Sequence, residues 1–318
     1  MIYSRITGTG SYLPEKVVSN FDLEKMVDTT DEWIRTRTGI ERRHIAAEGQ
    51  TTVDLAEQAA RRALDAAGLA PTAVDFIAFG TTTPDLVFPN CGVLLQQRLG
   101  CRGGPAFSVE TACAGFMYAL SIADKYVRCG EARRALVIGS ETLSRITDWK
   151  DRGTAVLFAD GAGAVVLEPG ETPGVLSTHL HADGHYKDLL YCGSGVSKGF
   201  APQLTITMAG NEVFKVAVTK LGQAVDETLA ANGLSKEALD WLVPHQANIR
   251  IIQAMARRLE MPMEKVILTV QDHGNTSAAS VPLALDVAVR DGRIKRGELL
   301  LLEAFGGGFT WGSALVRY

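Results

Sequence analysis

Cysteine is scarce and unpatterned in this chain: five among 318 residues, at Cys91, Cys101, Cys113, Cys129 and Cys192, with no CxxC pair. The odd count and the spacing argue against a disulfide framework or a structural zinc site and suit a reducing, cytoplasmic setting. Long apolar runs are missing too. Stretches such as "ELLLLEAF" and "GAGAVVLEP" fall far short of the ~18 residues a membrane span requires. The opening "MIYSRITGTGSYLPEK" lacks the basic region and apolar core of a signal peptide. Nor is there a surplus of positive charge. With 32 Lys and Arg against 36 Asp and Glu the net charge is −4, so neither nucleic acid nor a membrane surface is expected as a partner, and any basic site must be local.

What remains is a soluble-type composition, 46% hydrophobic and 21% charged, on a chain long enough for one large or two ordinary domains. Helical and strand patterns alternate along it. "VDLAEQAARRALDAAGL" is an amphipathic helix with a glycine stop, followed by the buried strand "VDFIAFG". "LSIADKYVRCG" and "RRALVIGS" repeat that order, and the alternation predicts an α/β protein with buried sheets.

The order then recurs. "LDAAGLAPTAVDFIAFG" aligns with "LAANGLSKEALDWLVPH" at an offset of 165, "YVRCG" with "AVRDG" at 162, and "GAGAVVL" resembles "TWGSALV". Two duplicated halves are expected, residues 1–172 and 173–318. At the offset of 162 Cys113 falls opposite Asn275, and at 165 His245 ends the strand equivalent to Phe76–Gly80. Cys113, His245 and Asn275 thus each lie where a strand gives way to a turn or helix, the place where α/β sheets form their sites.

Each residue type suits one job. A cysteine at a helix start meets the positive end of the dipole and open N–H groups, which is expected to lower its pKa and supply a thiolate nucleophile. Ala112, Ala114 and Gly115 leave room for an acyl group beside it. A neutral histidine and an asparagine offer two N–H donors and no strong base, which is what stabilising an enolate requires. The run Gly306–Gly308 allows close backbone approach to a ligand, with an N–H for an oxyanion hole. "TTDEWIRTRTGIERRHI" sets Trp33 among arginines able to hold a nucleotide and its phosphates. The trio His179, His181 and His185 lacks a completing ligand cluster and reads as structural rather than metal-binding.

In order and separation, "GTGSYLPEKVVSN", "DEWIRTRTGIERRHI", "ACAGF", "LVPHQAN", "HGNTSAASVPLAL" and "EAFGGGFTWGSALVRY" closely resemble the β-ketoacyl-acyl-carrier-protein synthase III family across the whole chain. The resemblance implies a thiolase-like fold in five layers, αβαβα, working as a homodimer on acyl-CoA and malonyl-acyl-carrier protein with no metal or cofactor. It implies Cys113 as the acyl-accepting nucleophile, His245 and Asn275 as the decarboxylation pair, and the N–H groups of Cys113 and Gly307 as the oxyanion hole. It further implies that Trp33 and Arg152 sandwich the adenine of coenzyme A and that Arg37 contacts phosphate. Gly153, Asn211, Phe214, Ala247 and Asn248 would line the pantetheine tunnel, and Phe88 would close the partner's acyl pocket. Lys215, Arg250 and Arg257 would dock the carrier protein.

Ser108, Glu110, Thr111, Ala155 and Ala159 depart from the family's usual residues, and the stretch between Tyr191 and Ile206 is shorter than in some close relatives. These leave the starter unit open. A condensing enzyme with an unusual starter or acceptor is the alternative. A thiolase would need a second cysteine near the last glycine loop, and none follows Cys192. A papain-like hydrolase shares the order Cys, His, Asn, but "ACAGF" lacks its local signature.

Overall fold

The structure is a computed structural model that describes residues 2–193, 195–199 and 205–318, so part of the stretch between Tyr191 and Ile206 lies outside the described residues. Nine principal strands and seven helices position the site. The first half contains β1 (Tyr3–Tyr12), α1 (Asp31–Thr38), α2 (Thr52–Ala67), β2 (Phe76–Gly80), α3 (Cys91–Leu99), β3 (Ala106–Val109), α4 (Gly115–Arg128), β4 (Ala135–Thr142) and β5 (Asp160–Gly170). The second contains β6 (Val175–Ala182), α5 (Gly210–Ala231), β7 (Trp241–Pro244), α6 (Ile249–Leu259), α7 (Ser280–Arg290), β8 (Leu299–Gly306) and β9 (Thr310–Arg317).

Local signals act as the residues dictate. Helix α2 starts in a capping box, with the Thr51 hydroxyl taking the Asp54 N–H and the Asp54 carboxylate taking the Thr51 N–H. It ends at Gly68 in the left-handed region, and half of its buried residues are alanine, so it sits directly on the first sheet.

The first sheet runs β1-β5-β4-β2-β3 and the second β6-β9-β8-β7, with the same sequence of antiparallel and parallel pairs. The counterpart of β3 is reduced to a bridge between Leu242 and Val266. Helices α2 and α3 cover the outer face of the first sheet, α4 and α7 pack between the sheets, and α5 and α6 cover the outer face of the second. The layers therefore alternate αβαβα.

One expectation is corrected. The turns Ala112–Ala114 and Ser277–Ala279 precede α4 and α7, and their first residues, Ala112 (φ 46°) and Ser277 (φ 48°), share a left-handed backbone. The offset there is 165, so Cys113 corresponds to Ala278 and not to Asn275. It becomes 162 beyond the helices, where Gly130 and Gly292 both have φ 81°, because α4 has 14 residues and α7 has 11.

The two halves exchange contacts at these turns. Strand β4 lies against the turn of the second half, and β8 against that of the first. Gly139 in β4 and Gly306 in β8 make this possible: a Cβ on Gly139 would stand 2.1 Å from the Ala278 carbonyl oxygen, and one on Gly306 2.6 Å from the Cys113 nitrogen. Backbone cannot yield as a side-chain tip can. Gly139→Ala is therefore expected to lower stability by about 1–3 kcal/mol, as overpacking does. Gly184→Ala, with no atom within 4 Å of the added Cβ, should fall within about 0.5 kcal/mol of wild type. Urea denaturation of the two variants checks this, and equal stabilities would contradict it.

Candidate active site

Cys113 follows β3 in the left-handed turn and precedes the first residue of α4, Gly115, by two positions. The structure changes the expected chemistry of its thiol. Burial pushes Cys113 up to about 12, with the buried Glu141 carboxylate adding to the rise, and a hydrogen bond with Ser277 offsets only part of it. Burial therefore favours the thiol form of Cys113 over the thiolate that its place at a helix start was expected to favour, because the second half closes over that helix start.

His245 directly follows β7, and its N–H donates to the Glu303 carbonyl at 2.8 Å. Burial lowers its pKa to about 3, so the ring is neutral at any working pH, as a donor to an enolate must be. The next residue holds the turn: the Gln246 side chain takes the N–H groups of Thr269 and Val270 and donates to the Pro244 and Ile267 carbonyls. Asn275 is fixed by backbone bonds to Leu157 and Ala159, both at 2.9 Å. Its Oδ1 accepts the Ser277 N–H at 2.9 Å, which leaves the amide NH₂ as the free donor.

Cys113, His245 and Asn275 line one cavity of about 360 Å³. The same cavity is lined by Trp33, Arg37, Gly153, Asn211, Phe214, Ala247, Asn248 and Arg250, so the structure brings these residues together with the trio. Arg152 stands 4.7 Å and Arg37 5.0 Å from the centre of the Trp33 ring, so two guanidinium groups pack on the indole. A second cavity of about 730 Å³ lies on the other side of Cys113, lined by Thr82, Thr83, Ser108, Glu110, Leu143, Ile206 and Gly307. Cys113, Phe158 and Leu190 line both.

Phe88, Lys215, Arg257, His179, His181 and His185 are not among the residues lining these two cavities. Phe88 is 83% exposed beside exposed Leu86 and Val87. Lys215 and Arg257 are exposed on α5 and α6, and Arg250 lies over the Phe214 ring at 5.0 Å. His179 and His181 share the Glu227 carboxylate, at 3.3 and 2.6 Å, and His185 pairs with Asp183.

Residues 107–184 match the model of 3-oxoacyl-[acyl-carrier-protein] synthase III, and residues 229–318 match that of its C-terminal part. The β-ketoacyl-[acyl-carrier-protein] synthase III of Alkalilimnicola ehrlichii is 64% identical over 323 residues, covering 100% of both chains. That of Xanthomonas campestris is 64% identical over 321, covering 100% of this chain and 99% of the relative. This chain belongs to the β-ketoacyl-acyl-carrier-protein synthase III family. The solved synthase III of Aquifex aeolicus, 48% identical, superposes with a TM-score of 0.94 over 99% of this chain and 100% of that one. The priming β-ketosynthase of the R1128 polyketide pathway, 38% identical, gives 0.95 over 99% and 96%. The synthase III fold is thiolase-like, and the chain is a condensing enzyme that carries out decarboxylative Claisen condensation in fatty acid synthesis.

Several site residues carry no mark in the sequence. Glu141, fully buried, collects hydrogen bonds from the hydroxyls of Thr81, Thr82, Thr83 and Ser277, and burial raises its pKa. Ser277 ties that carboxylate to both Cys113 and Asn275. Of these, the "ACA" and "SAA" turns, matched at 165, were the one available signal for Ser277.

A neutral resting thiol has a kinetic signature. Alkylation of Cys113 by iodoacetamide, followed by peptide mass mapping, should climb about tenfold per pH unit from about pH 7 to 9 without a plateau. A plateau by pH 8 would show a thiolate already formed.

Proposed function

We propose that the enzyme transfers an acyl group from acyl-CoA, acetyl-CoA or a near relative, to Cys113 and then condenses it with malonyl-acyl-carrier protein. One observation chiefly supports this reading: a single cavity carries the thiol, two uncharged donors and, at its outer end, an indole flanked by arginines.

In the first stage the Cys113 sulfur attacks the thioester carbonyl, and the N–H groups of Cys113 and Gly307 receive the developing oxyanion. The carbon–sulfur bond to CoA breaks, and the thiol proton leaves with CoA as its free thiol. Trp33 and Arg152, stacked on one another here at 4.7 Å, would part to take the adenine between them, and Arg37 would hold a phosphate. Gly153, Asn211, Phe214, Ala247 and Asn248 line the route of the pantetheine arm. The second cavity would take the acyl chain, with Phe88 reaching into that of a partner copy, and Glu110 and Ser108 add polar groups to a mostly apolar wall, which bears on the starter.

In the second stage the malonyl carboxylate departs as CO₂ and its electron pair forms an enolate. His245 and Asn275 donate to the enolate oxygen. The enolate carbon attacks the acyl thioester, the carbon–sulfur bond to Cys113 breaks, and the sulfur takes up one proton. A histidine depressed to about 3 does not titrate between pH 5 and 8, so His245 contributes no acid limb to condensation. Exposed Lys215, Arg250 and Arg257 offer positive charge to an acidic carrier protein.

His245→Ala and Asn275→Ala should each lower malonyl decarboxylation by about 3 kcal/mol, a hundredfold or more, while sparing much of acyl transfer. Equal collapse of both half-reactions would make His245 a base for Cys113 instead. Arg250→Glu should weaken use of malonyl-acyl-carrier protein and leave acyl transfer from CoA nearly intact, with added salt reproducing part of the defect because rim charges are screened. Impairment of both substrates alike, or of neither, would remove this rim as the docking site.

A further inference from the structure

Glu303 is a buried carboxyl with no assigned task. It stands in β8 opposite Pro244 of β7 and Ser313 of β9, is 1% exposed, and lines the first cavity with Cys113, His245 and Asn275. Neither of its carboxyl oxygens has a hydrogen-bond partner, and the sealed Nδ1 of His245 has none either. The His245 N–H bonds to the Glu303 carbonyl, and both side chains line the same cavity with no partner among the described residues.

Among the described residues, no cation offsets a negative charge at this position. On α5, Lys220 pairs with Asp183 and lies over the Tyr186 and Trp311 rings. On α6, Arg258 pairs with Asp226 and Arg250 covers Phe214. Across the sheet Ser313 bonds Thr228, and of the remaining ionisable cavity-lining groups Arg37 stands over Trp33 while His245 and Cys113 are neutral. Burial raises the Glu303 pKa to about 8, so the group enters neutral pH as an acid.

We propose that Glu303 is a positioning residue for condensation, acting as a neutral carboxylic acid whose side chain turns within the cavity to donate its O–H to the unpartnered Nδ1 of His245, a bond the two groups do not make in this structure. A neutral imidazole that accepts at Nδ1 keeps its proton on Nε2, the nitrogen left for the thioester oxygen. An ionised Glu303 would accept instead of donate and draw that proton to Nδ1. It would also set a second negative charge beside a cavity that must receive a malonyl carboxylate and an enolate. This rests on the role proposed above for His245.

The test measures malonyl decarboxylation and acyl transfer separately, from about pH 6 to 9.5, for wild type, Glu303→Gln and Glu303→Leu, with His245→Ala as the reference. Wild-type decarboxylation should fall on the alkaline side as Glu303 ionises. Glu303→Gln keeps a donor and cannot ionise, so it should match wild type near pH 7 and lose that limb. Glu303→Leu cannot ionise but keeps no donor, so it should lose about tenfold or more near pH 7, the cost of an unsatisfied buried acceptor, and show no alkaline limb, with acyl transfer retained. The leucine variant is expected to fold, since it removes an unpaired buried carboxyl.

Stability supplies an independent reading. A carboxyl raised from 4.5 to about 8 on folding contributes stability that is full below 4.5 and lost as pH rises towards 8. Both variants should flatten that part of the thermal midpoint profile. An unchanged alkaline limb in Glu303→Gln, a fully active Glu303→Leu, or a glutamine variant as impaired as the leucine one would each overturn the proposal. A His245→Ala enzyme with normal decarboxylation would instead overturn the role of His245 itself.

Discussion

The site depends on the close crossing of two backbones, one from each half of the chain. β8 can lie against the Cys113 turn because Gly306 has no side chain, and β4 can lie against the Ser277 turn because Gly139 has none. The exchange is reciprocal, so neither half forms its own share of the cavity alone. It sets the Cys113 backbone against a glycine strand end. It also brings Ser277, from the second half, onto the carboxylate of Glu141 in the first.

The same crossing buries chemistry that water would otherwise solvate. Cys113, Glu141, His245 and Glu303 all lie inside, and burial moves each towards its uncharged form: the thiol and both carboxyls upward, the imidazole downward. That direction suits a reaction whose charges belong to the substrate. In the proposed reaction the malonyl carboxylate and the enolate would bring the negative charge, and uncharged groups around Cys113 would receive it without competition. Glu141 shows how a buried acid is satisfied, with four hydroxyls around it, whereas Glu303, left without partners beside the substrate route, is the exception.

Much of this was legible in the sequence, for physical reasons. Strand and helix periods, the glycine stops and the repeated "AAGL" and "ANGL" ends announce two similar halves, and long ordered motifs announce the family. The pairing of Cys113 with Asn275 was misread because α4 is three residues longer than α7, so a single offset cannot hold across the helix. The thiol was misread because a helix start is visible in sequence while the strand that covers it comes almost two hundred residues later. Ser277, Gln246 and Glu303 carried no signal of depth: a serine among alanines or a glutamate in "LLEAF" looks the same whether it faces solvent or a closed cavity. Cys91 makes the contrast, since burial also drives its thiol to about 12, yet it lines neither cavity. A reactive cysteine here is one that a substrate can reach, whatever its resting pKa.

That claim is open to one direct measurement. Brief incubation with acetyl-CoA, followed by intact-mass analysis and peptide mapping, should show a single acyl group, carried by Cys113 and absent from Cys113→Ala. Acyl label on Cys91 or Cys192 with Cys113 unmodified would contradict the account.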